Sequence, residues 1–412
     1  MQDNEKKPAL RFKGFTDPWE QRKLEEYLEV SGQKNFEGIY TKEDVLSVSG
    51  DFGIVNQIEF QGRSFAGASV ANYGVVETGD IVYTKSPLKS NPYGIIKANK
   101  GKNGIVSTLY AVYKPKQSAN PEFVQNYFEQ DARMNNYMHP LVNKGAKNDM
   151  KVSAENALKG QIVFPDIKEQ RTISEFFRNL DTLITLHQRK YEKLVNIKKS
   201  MLDKMFPQNG ASVPEIRFKG FTDPWEQRKL SDIVEKVTEK NAGWQYIETF
   251  TNSAEFGIIS QRDFFDHDIS KIGSLDGYYV VHNEDFVYNP RISVTAPVGP
   301  INRNKLGRTG VMSPLYTVFR PHDIDTTYLE HFFKSEYWHS FMNFNGDSGA
   351  RSDRFSIKDS VFFEMPIPTP DIEEQKKIGE FLTLLDTLIT LHQRKLEKLQ
   401  NIKKSCLEKM FV

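Results

Sequence analysis

The sequence predicts an α+β protein made by tandem duplication, with two compact domains of mixed helix and strand alternating with two long helices. Arg11–Leu24 reads RFKGFTDPWEQRKL, and the same fourteen residues recur at Arg217–Leu230. Leu180–Phe206 recurs at Leu385–Phe411 with 23 of 27 positions identical. Solenoid repeats have periods of roughly 20–50 residues. Because the spacing here is near 206 residues, the chain is two copies of one large unit with an internal pseudo-two-fold repeat.

The composition is typical of a folded protein of two to three domains. The chain has 412 residues, of which 38% are hydrophobic and 26% charged. Met1–Leu10 is polar and charged, which does not fit a signal peptide, and no apolar run approaches the ~20 residues of a membrane helix. A single cysteine, Cys406, excludes an internal disulfide. We therefore expect a soluble, cytoplasmic protein. The net charge of +1 excludes an all-basic surface but leaves room for local basic patches.

Between the repeats, the two copies diverge in sequence but keep a common pattern of short strands and turns. The matching segments are rich in β-branched and aromatic residues and end at Gly, Asn or Pro. They are Tyr73–Thr84 with Tyr278–Asn289, and Gly104–Pro115 with Gly310–Pro321. Helical patches are predicted near 122–134 and 327–342. Each variable part is therefore predicted to be one α+β domain, called a head below.

The repeated blocks that follow the heads predict long amphipathic helices. Asp166 with Glu169, and Asp371 with Glu374, have the spacing of a capping box ahead of each helix. Apolar residues then recur at steps of three and four for about forty residues, which predicts two antiparallel, coiled-coil-like helices acting as spacers. The residues predicted to pack between the helices are Leu180, Ile184, His187, Leu194, Ile197, Leu385, Ile389, His392, Leu399 and Ile402.

These patterns give four predicted segments. Residues 1–165 hold an N-terminal segment and the first head, 166–210 the first helical spacer, 211–370 the second head, and 371–412 the second spacer. Trp19 and Trp225 lie in the identical segments, and we expect them to anchor the helical junctions. The outward faces of the spacers are predicted to repeat the same polar residues: Gln188, Arg189, Lys190, Lys193 and Lys198, then Gln393, Arg394, Lys395, Lys398 and Lys403.

The sequence contains no phosphate loop, dinucleotide-binding glycine pattern or HExxH zinc pattern. Pro370-Asp371 followed by Glu374-Gln375-Lys376 superficially resembles a nuclease signature. Catalytic carboxylates must converge from separate elements, however, whereas these lie within one helical turn and are explained by the cap. The eight histidines show no metal-ligand spacing. We therefore predict no catalytic residue, no metal site and no cofactor bound by this chain.

Three pairs of equivalent loops are basic in both copies, and we predict that they bind nucleic acid. Lys and Arg contact phosphates, while Arg, Asn and Gln also hydrogen-bond base edges. The first pair contains Lys97, Asn99, Lys100, Lys102 and Asn103, then Asn302, Arg303, Asn304, Lys305 and Arg308. The second contains Lys144, Lys147, Asn148 and Lys151, then Arg351, Ser352 and Arg354. The third contains Lys85, Ser86, Lys89 and Asn91, then Asn289, Arg291 and Ser293.

The repeated segments resemble those of the specificity (S) subunits of type I restriction–modification systems. The resemblance is carried by FKGFTDPWEQRKL and by PDIEEQKKIGEFL followed by LDTLITLHQRKLEKLQNIKKS, and it covers nearly the whole chain. It implies two target-recognition domains that read the two halves of a bipartite double-stranded DNA site. It also implies a non-catalytic subunit that recruits two modification subunits and, in the full complex, restriction subunits. Those partners would use S-adenosylmethionine, ATP and Mg.

Two other classes of function stay open at this point. The chain could be an enzyme that acts alone, either a nuclease or a methyltransferase, although the expected motifs are missing. It could also be a coiled-coil scaffold whose heads bind protein rather than DNA, which the basic loops disfavour only weakly. Most aromatic residues lie in predicted strands or helices, where we expect them to be buried rather than to stack on bases.

Overall fold

The computed structural model describes residues 7–85, 91–144, 150–208, 210–265, 272–348 and 353–412. The chain divides into two compact units, Met1–Gln188 with Arg394–Val412, and Arg189–Gln393. Each unit therefore combines one head with a segment of both long helices. Helices and strands are mixed in each unit, which confirms the α+β class.

The first unit is built from short antiparallel strands and short helices. Its central sheet has the order Leu28–Val30, Tyr110–Pro115, Ile81–Thr84, Ile96–Ala98. Two-stranded pairs surround it: Glu20–Lys23 with Gln161–Phe164, Leu46–Ser49 with Gly53–Asn56, Gly74–Val76 with Gly104–Val106, and Asn143–Lys144 with Met150–Lys151. The head helices described are Gln57–Gln61, Pro121–Tyr127 and Asp131–Met138. The predicted patch near 122–134 is thus two helices rather than one.

The second unit repeats this topology. Its central sheet has the order Val234–Lys236, Thr317–Pro321, Phe286–Tyr288, Ile301–Arg303. The flanking pairs are Glu226–Lys229 with Pro366–Thr369, Phe250–Ser253 with Gly257–Ser260, and Tyr279–Val281 with Gly310–Met312. The head helices described are Gln261–Phe265, Thr326–Lys334, His339–Asn345 and Asp359–Phe362. The matching strand segments predicted from sequence are each a pair of strands separated by a turn, in both units.

The two long helices run over Ile167–Lys204 and Ile372–Lys409. Asp166 caps the first helix, since its Oδ1 accepts the backbone N–H of Lys168 and Glu169 at 2.7 and 3.0 Å. Asp371 caps the second helix in the same way. The glutamates do not complete the predicted capping box. Glu169 and Glu374 bind arginines from the identical segments instead, as described below.

Within each unit the two helix segments lie against one another. In the first unit, Asp181 pairs with Lys403 at 2.8 Å, and the rings of Phe177 and Phe411 lie 6.0 Å apart. As one sequence number falls the other rises, so the segments are antiparallel. In the second unit, Lys198 pairs with Asp386. Lys198 and Lys403 were predicted to face outward, and this is wrong because each binds an aspartate of the opposite helix.

The predicted packing residues differ in their burial. Leu180 and Leu385 are buried in the cores of their units, and Leu194, Ile197 and Leu399 pack at the edges of those cores. Ile184, His187, Ile389 and His392 are half-buried. Ile402 is 37% exposed, so its assignment to the packing stripe is wrong. The stripe drifts around the helix because an α-helix has 3.6 residues per turn rather than 3.5.

Candidate nucleic-acid and partner interface

The identical segments join each head to a long helix through a buried ion pair. Arg11 donates two hydrogen bonds of 2.7 Å to Glu169, and Arg217 donates two of 2.7 and 2.8 Å to Glu374. Both glutamates are buried. A planar guanidinium matches a carboxylate in this two-bond geometry. The hydrogen bond to Glu374 raises the pKa of Arg217 above its ordinary value.

The tryptophans of the same segments are buried at these junctions, as predicted. The indole Nε1 of Trp225 donates to Glu374 at 3.1 Å, whereas the buried Nε1 of Trp19 has no hydrogen-bond partner among the described residues. Trp19 packs edge-on against Phe123 and Phe411. Asp371 and Glu374 are thus occupied by capping and pairing. The nuclease-like sequence pattern of this turn therefore has a structural explanation.

The first pair of basic loops is shaped by two equivalent buried asparagines. Asn99 donates to the carbonyls of Glu77 and Lys102 at 3.1 and 3.0 Å. Asn304 donates to the carbonyls of His282 and Arg308 at 2.9 and 3.0 Å. Each side-chain oxygen also accepts a backbone N–H two residues later. Because both side chains are buried and fully engaged, they hold the loop closed rather than face a ligand.

Three further residues of this pair lie in strands and not in the predicted loop. Lys97 is buried and binds Glu129 at 2.9 Å. Asn302 donates to the side chain of Asn252 at 2.7 Å, and Arg303 binds Glu284 and Glu330 at 3.1 and 2.6 Å. The loop placement of these residues is therefore corrected. The charge of a residue does not predict whether its side chain is buried and paired within the head.

The remaining residues of the first loops are at the surface. Lys100 lies 3.7 Å from Glu122, Lys305 lies 3.1 Å from Glu330, and Lys102 is exposed. Arg308 makes two bonds of 2.8 Å with Glu248, which raise the pKa of Arg308 and lower that of Glu248. Exposed ion pairs contribute little to stability, so Lys100 and Arg308 can exchange partners with phosphates at little cost. Lys305 is itself exposed, but its partner Glu330 is buried. The side-chain oxygen of Asn103 accepts the backbone N–H of Thr78 at 2.8 Å.

In the second unit, the structure brings the other two loops together. Arg291 and Arg354 are paired across an isolated antiparallel bridge, with backbone bonds from Ile292 to Asp353 and from Phe355 to Pro290. Arg291 and Ser293 are exposed, and Arg354 is half-buried. Asn289 holds the turn, since its side chain donates to the Asn252 carbonyl and accepts the N–H of Arg291. Two arginines from separate loops thus share one edge of this head.

The corresponding loops of the first unit are described only in part. Lys85 is half-buried, and Asn91 is buried and donates to Asp131. Lys144 and Lys151 lie in paired short strands. Ser86, Lys89, Lys147, Asn148, Arg351 and Ser352 lie outside the described residues.

Sequence reasoning missed one shared feature of the heads, a pair of exposed aromatic rings. Phe52 and Phe60 lie with ring centroids 5.4 Å apart, and Phe256 and Phe264 lie 6.2 Å apart. All four are exposed, so they are exceptions to the expectation that most aromatic residues are buried. The signal was present in the internal comparison, because DFGIVNQIEF at 51–60 matches EFGIISQRDF at 255–264.

No group of three or more His, Cys, Asp or Glu side chains in the described ranges could hold a metal ion. Within the same ranges, no helix is long and apolar enough to cross a membrane.

Comparison with known proteins shows which proteins this chain resembles. Residues 222–401 match the family profile described as type I restriction modification DNA specificity domain. The chain is 24% identical over 258 residues to the type I restriction enzyme MjaVIII specificity subunit of Methanocaldococcus jannaschii, covering 59% of each protein. It is also 24% identical over 279 residues to the putative MjaX specificity subunit of that organism, covering 63% of this chain and 60% of the relative. The matches thus span about three-fifths of the curated relatives.

A solved structure shares the fold over almost the full length. The crystal structure of the type I restriction–modification S subunit from M. genitalium superposes with a TM-score of 0.53 at 11% identity, covering 98% of this chain and 99% of that one. The resemblance to type I specificity subunits that the repeated motifs indicated is thereby confirmed.

Proposed function

We propose that this chain is the DNA-specificity subunit of a type I restriction–modification complex, with each head reading one half of a bipartite site. The observation that carries the proposal is the contrast between the two units. Their fold, junctions and helix segments are the same, while their surface loops differ. Two heads of one fold with different loops suit two different half-sites. Identical flanks suit two copies of one protein partner.

The exposed basic residues are assigned to two roles in DNA binding. Lys100, Lys102, Lys305 and Arg308 would contact phosphates, which positions a head without specifying sequence. Arg291 and Arg354, on one edge of the second head, are the candidates for reading base edges. An arginine can donate two bonds to O6 and N7 of guanine in the major groove.

The long helices are proposed to set the distance between half-sites and to dock two modification subunits. Exposed residues repeated on their surfaces include Arg189, Lys190 and Lys193 in one helix and Arg394, Lys395 and Lys398 in the other. The modification subunits would supply S-adenosylmethionine-dependent adenine methylation. Restriction subunits, with ATP and Mg, would complete the complex in the cytoplasm. This chain itself is proposed to be non-catalytic and to bind none of those cofactors.

An electrophoretic mobility shift experiment tests the proposal against its rivals. The DNA is a duplex carrying the motif found by mapping methylated adenines in cells that contain the complex, and the control duplex has both half-sites scrambled. We expect a sequence-specific shift that requires the modification subunit. Cleavage or methylation by this chain alone would support an enzyme instead. No shift with or without the partner would support a protein-binding scaffold.

A further inference from the structure

Each head exposes a pair of phenylalanine rings whose burial the fold does not require. Phe52 is 68% exposed and Phe60 44%, while Phe256 is 59% exposed and Phe264 42%. A large aromatic ring left in water forgoes the ~25 cal/mol per Å² that burial would return. One such ring needs no explanation, but an equivalent pair on both heads does.

The same local device presents the rings in both units. The backbone N–H of Phe52 donates to Ser49 Oγ at 3.2 Å, and that of Phe256 donates to Ser253 Oγ at 3.3 Å. The next residue, Gly53 or Gly257, closes the hairpin turn with φ of 72° or 71°. A side chain at this backbone conformation is strained, so glycine is required. The turn therefore fixes the ring on the outer side of the hairpin.

A short helix then places the second ring beside the first. Gln57 and Gln261 begin these helices, and their backbone N–H groups donate to Val45 and Thr249 carbonyls, each at 2.8 Å. The two motifs keep acid, Phe, Gly, Ile, Gln, acid and Phe at the same spacing. The basic loops of the same heads differ in sequence between the two copies. The shared aromatic motif is therefore expected to have the same role in both heads, unlike the residues that would read different half-sites.

The charges around the rings favour a protein over DNA as the occupant. Asp51 and Glu59 flank the first pair in sequence, and Glu255 and Asp263 flank the second. The carboxylates next to the rings in sequence would repel phosphates, although Lys100 borders the same cleft as Phe52. Exposed aromatic side chains are typical anchors of protein interfaces.

In the first unit, the turn that carries Phe52 also borders the repeated helices. A cleft of about 400 Å³ is lined by Phe52 and Lys100 on the head, by Asp181 and Thr185 on the first long helix, and by Gln400 and Lys403 on the second. Phe52 thus borders both long helices, within about one helical turn of Arg189 and Lys398 on the surface proposed to dock a partner.

We propose that the pairs Phe52–Phe60 and Phe256–Phe264 are anchors for two copies of one protein partner, each offering an apolar socket edged by Lys or Arg. This inference depends on the proposed function, because the partner is taken to be the modification subunit of the same complex. The head then contributes to holding that subunit, and the docking surface extends beyond the helices.

The test measures binding of the purified modification subunit to the full-length chain. Native mass spectrometry gives the stoichiometry and biolayer interferometry the affinity. Three variants are measured against the wild type. One carries Phe52→Ser and Phe60→Ser, the second carries Phe256→Ser and Phe264→Ser, and the third carries all four substitutions. Phe36→Ser and Phe344→Ser are matched controls, since both rings are exposed and belong to neither pair. All substituted rings are exposed, and thermal unfolding verifies that every variant folds.

We expect each double variant to weaken one of the two partner sites by about 10- to 30-fold, as loss of an aromatic hot spot does. The fourfold variant then loses both copies, and the controls keep two. Asp51→Lys with Glu255→Lys is expected to weaken the partner as well. Wild-type binding of the partner with unchanged binding by the fourfold variant would overturn the inference but leave the proposed function standing.

Two further outcomes also decide the matter. If the variants hold the partner but lose DNA, or if Asp51→Lys with Glu255→Lys strengthens DNA binding alone, the rings contact DNA and the inference is wrong. If the wild-type chain binds no modification subunit, the proposed function itself fails together with this inference.

Discussion

The junctions and the basic loops use the same residue types under opposite physical conditions. At the junctions, Arg11 and Arg217 bind buried glutamates with two hydrogen bonds each, and the surrounding sequence is identical in both units. In the loops, Lys100 and Arg308 make ion pairs at the surface, and the sequence differs between units. A buried charge cannot be replaced without leaving its partner unpaired. An exposed charge can be replaced at little cost, so the exposed residues can differ between heads that bind different ligands.

Removing a junction glutamate should give the largest effect on stability. Glu374→Ala leaves both Arg217 and the Trp225 indole without their acceptor, so we expect a loss of about 3–5 kcal/mol in the second unit. Glu169→Ala should cost about 1 kcal/mol less, because Trp19 donates no hydrogen bond to Glu169. Unfolding of each unit is followed by hydrogen exchange with mass spectrometry.

The matched control for this comparison is Glu364→Ala. Its partner Lys229 is exposed, so the loss of stability should be much smaller than that of Glu374→Ala. Equal effects of Glu364→Ala and Glu374→Ala would show that burial does not distinguish the junctions from the surface.

The helix packing should show a graded response. Leu385→Ala removes a side chain from the core of the second unit and should cost about 2–5 kcal/mol. Leu399 lies at the edge of the first core and should cost less, and Ile402→Ala should cost little because Ile402 is half exposed. Chemical denaturation of each variant measures the order. An effect of Ile402→Ala as large as that of Leu385→Ala would contradict the packing.

At acid pH the second head should lose stability that the first head keeps, because only the second contains Glu330. Burial alone would raise the pKa of Glu330, but Lys334, Arg303 and Lys305 together lower it from 4.5 to about 2. Its stabilisation is therefore complete above pH 4.5 and is lost as the pH falls toward 2, on the order of 3 kcal/mol in all. The first head has Gln125 at the equivalent position, so this loss is confined to the second unit.

Glu330→Gln should remove this pH dependence from the second unit. Hydrogen exchange between pH 5 and 2.5 checks it, with the first unit as the internal control. An unchanged pH profile in the variant would show that Glu330 is not the group that titrates.

The sequence predicted the duplication, the α+β class, the strands and the long helices, because hydrophobic periodicity and repetition survive without any knowledge of contacts. Which polar residues face inward was not predictable in the same way. Lys97 is buried and Arg303 is half-buried. Lys97 pairs with Glu129, in the turn after the helix Pro121–Tyr127, and Arg303 pairs with Glu330, in the helix Thr326–Lys334. Nothing local to their loops encodes those distant partners.

In the candidate site, too, the sequence did not predict which residues are buried and which are exposed. Asn99 and Asn304 are identical in both heads, and that identity was a sign of a structural role rather than of DNA reading. The exposed aromatic pairs were not expected, since a phenylalanine beside a strand is most often buried. Internal comparison marks both features as shared, but only the structure separates a buried shared residue from an exposed one.

DNA binding should divide the loop residues into two roles. Arg291→Ala should cost about 1–3 kcal/mol on the cognate site and little on random DNA, if the side chain reads a base edge. Lys100→Ala or Lys305→Ala should weaken binding to every sequence and lower the salt slope by about one phosphate contact. Binding titrations of the full complex over a range of salt concentrations measure both. Equal losses on cognate and random DNA for Arg291→Ala would remove it from the reading surface.

Exchange of one head tests the central claim, that each unit reads its own half-site. Residues 25–160 are replaced by the equivalent part of another specificity subunit, which keeps the strand pair Glu20–Lys23 with Gln161–Phe164 intact. The chimera is produced with its modification subunit, and methylated adenines are mapped across the genome. The account predicts a motif with one half changed and the other half unchanged. A change in both halves, or in neither, would contradict it.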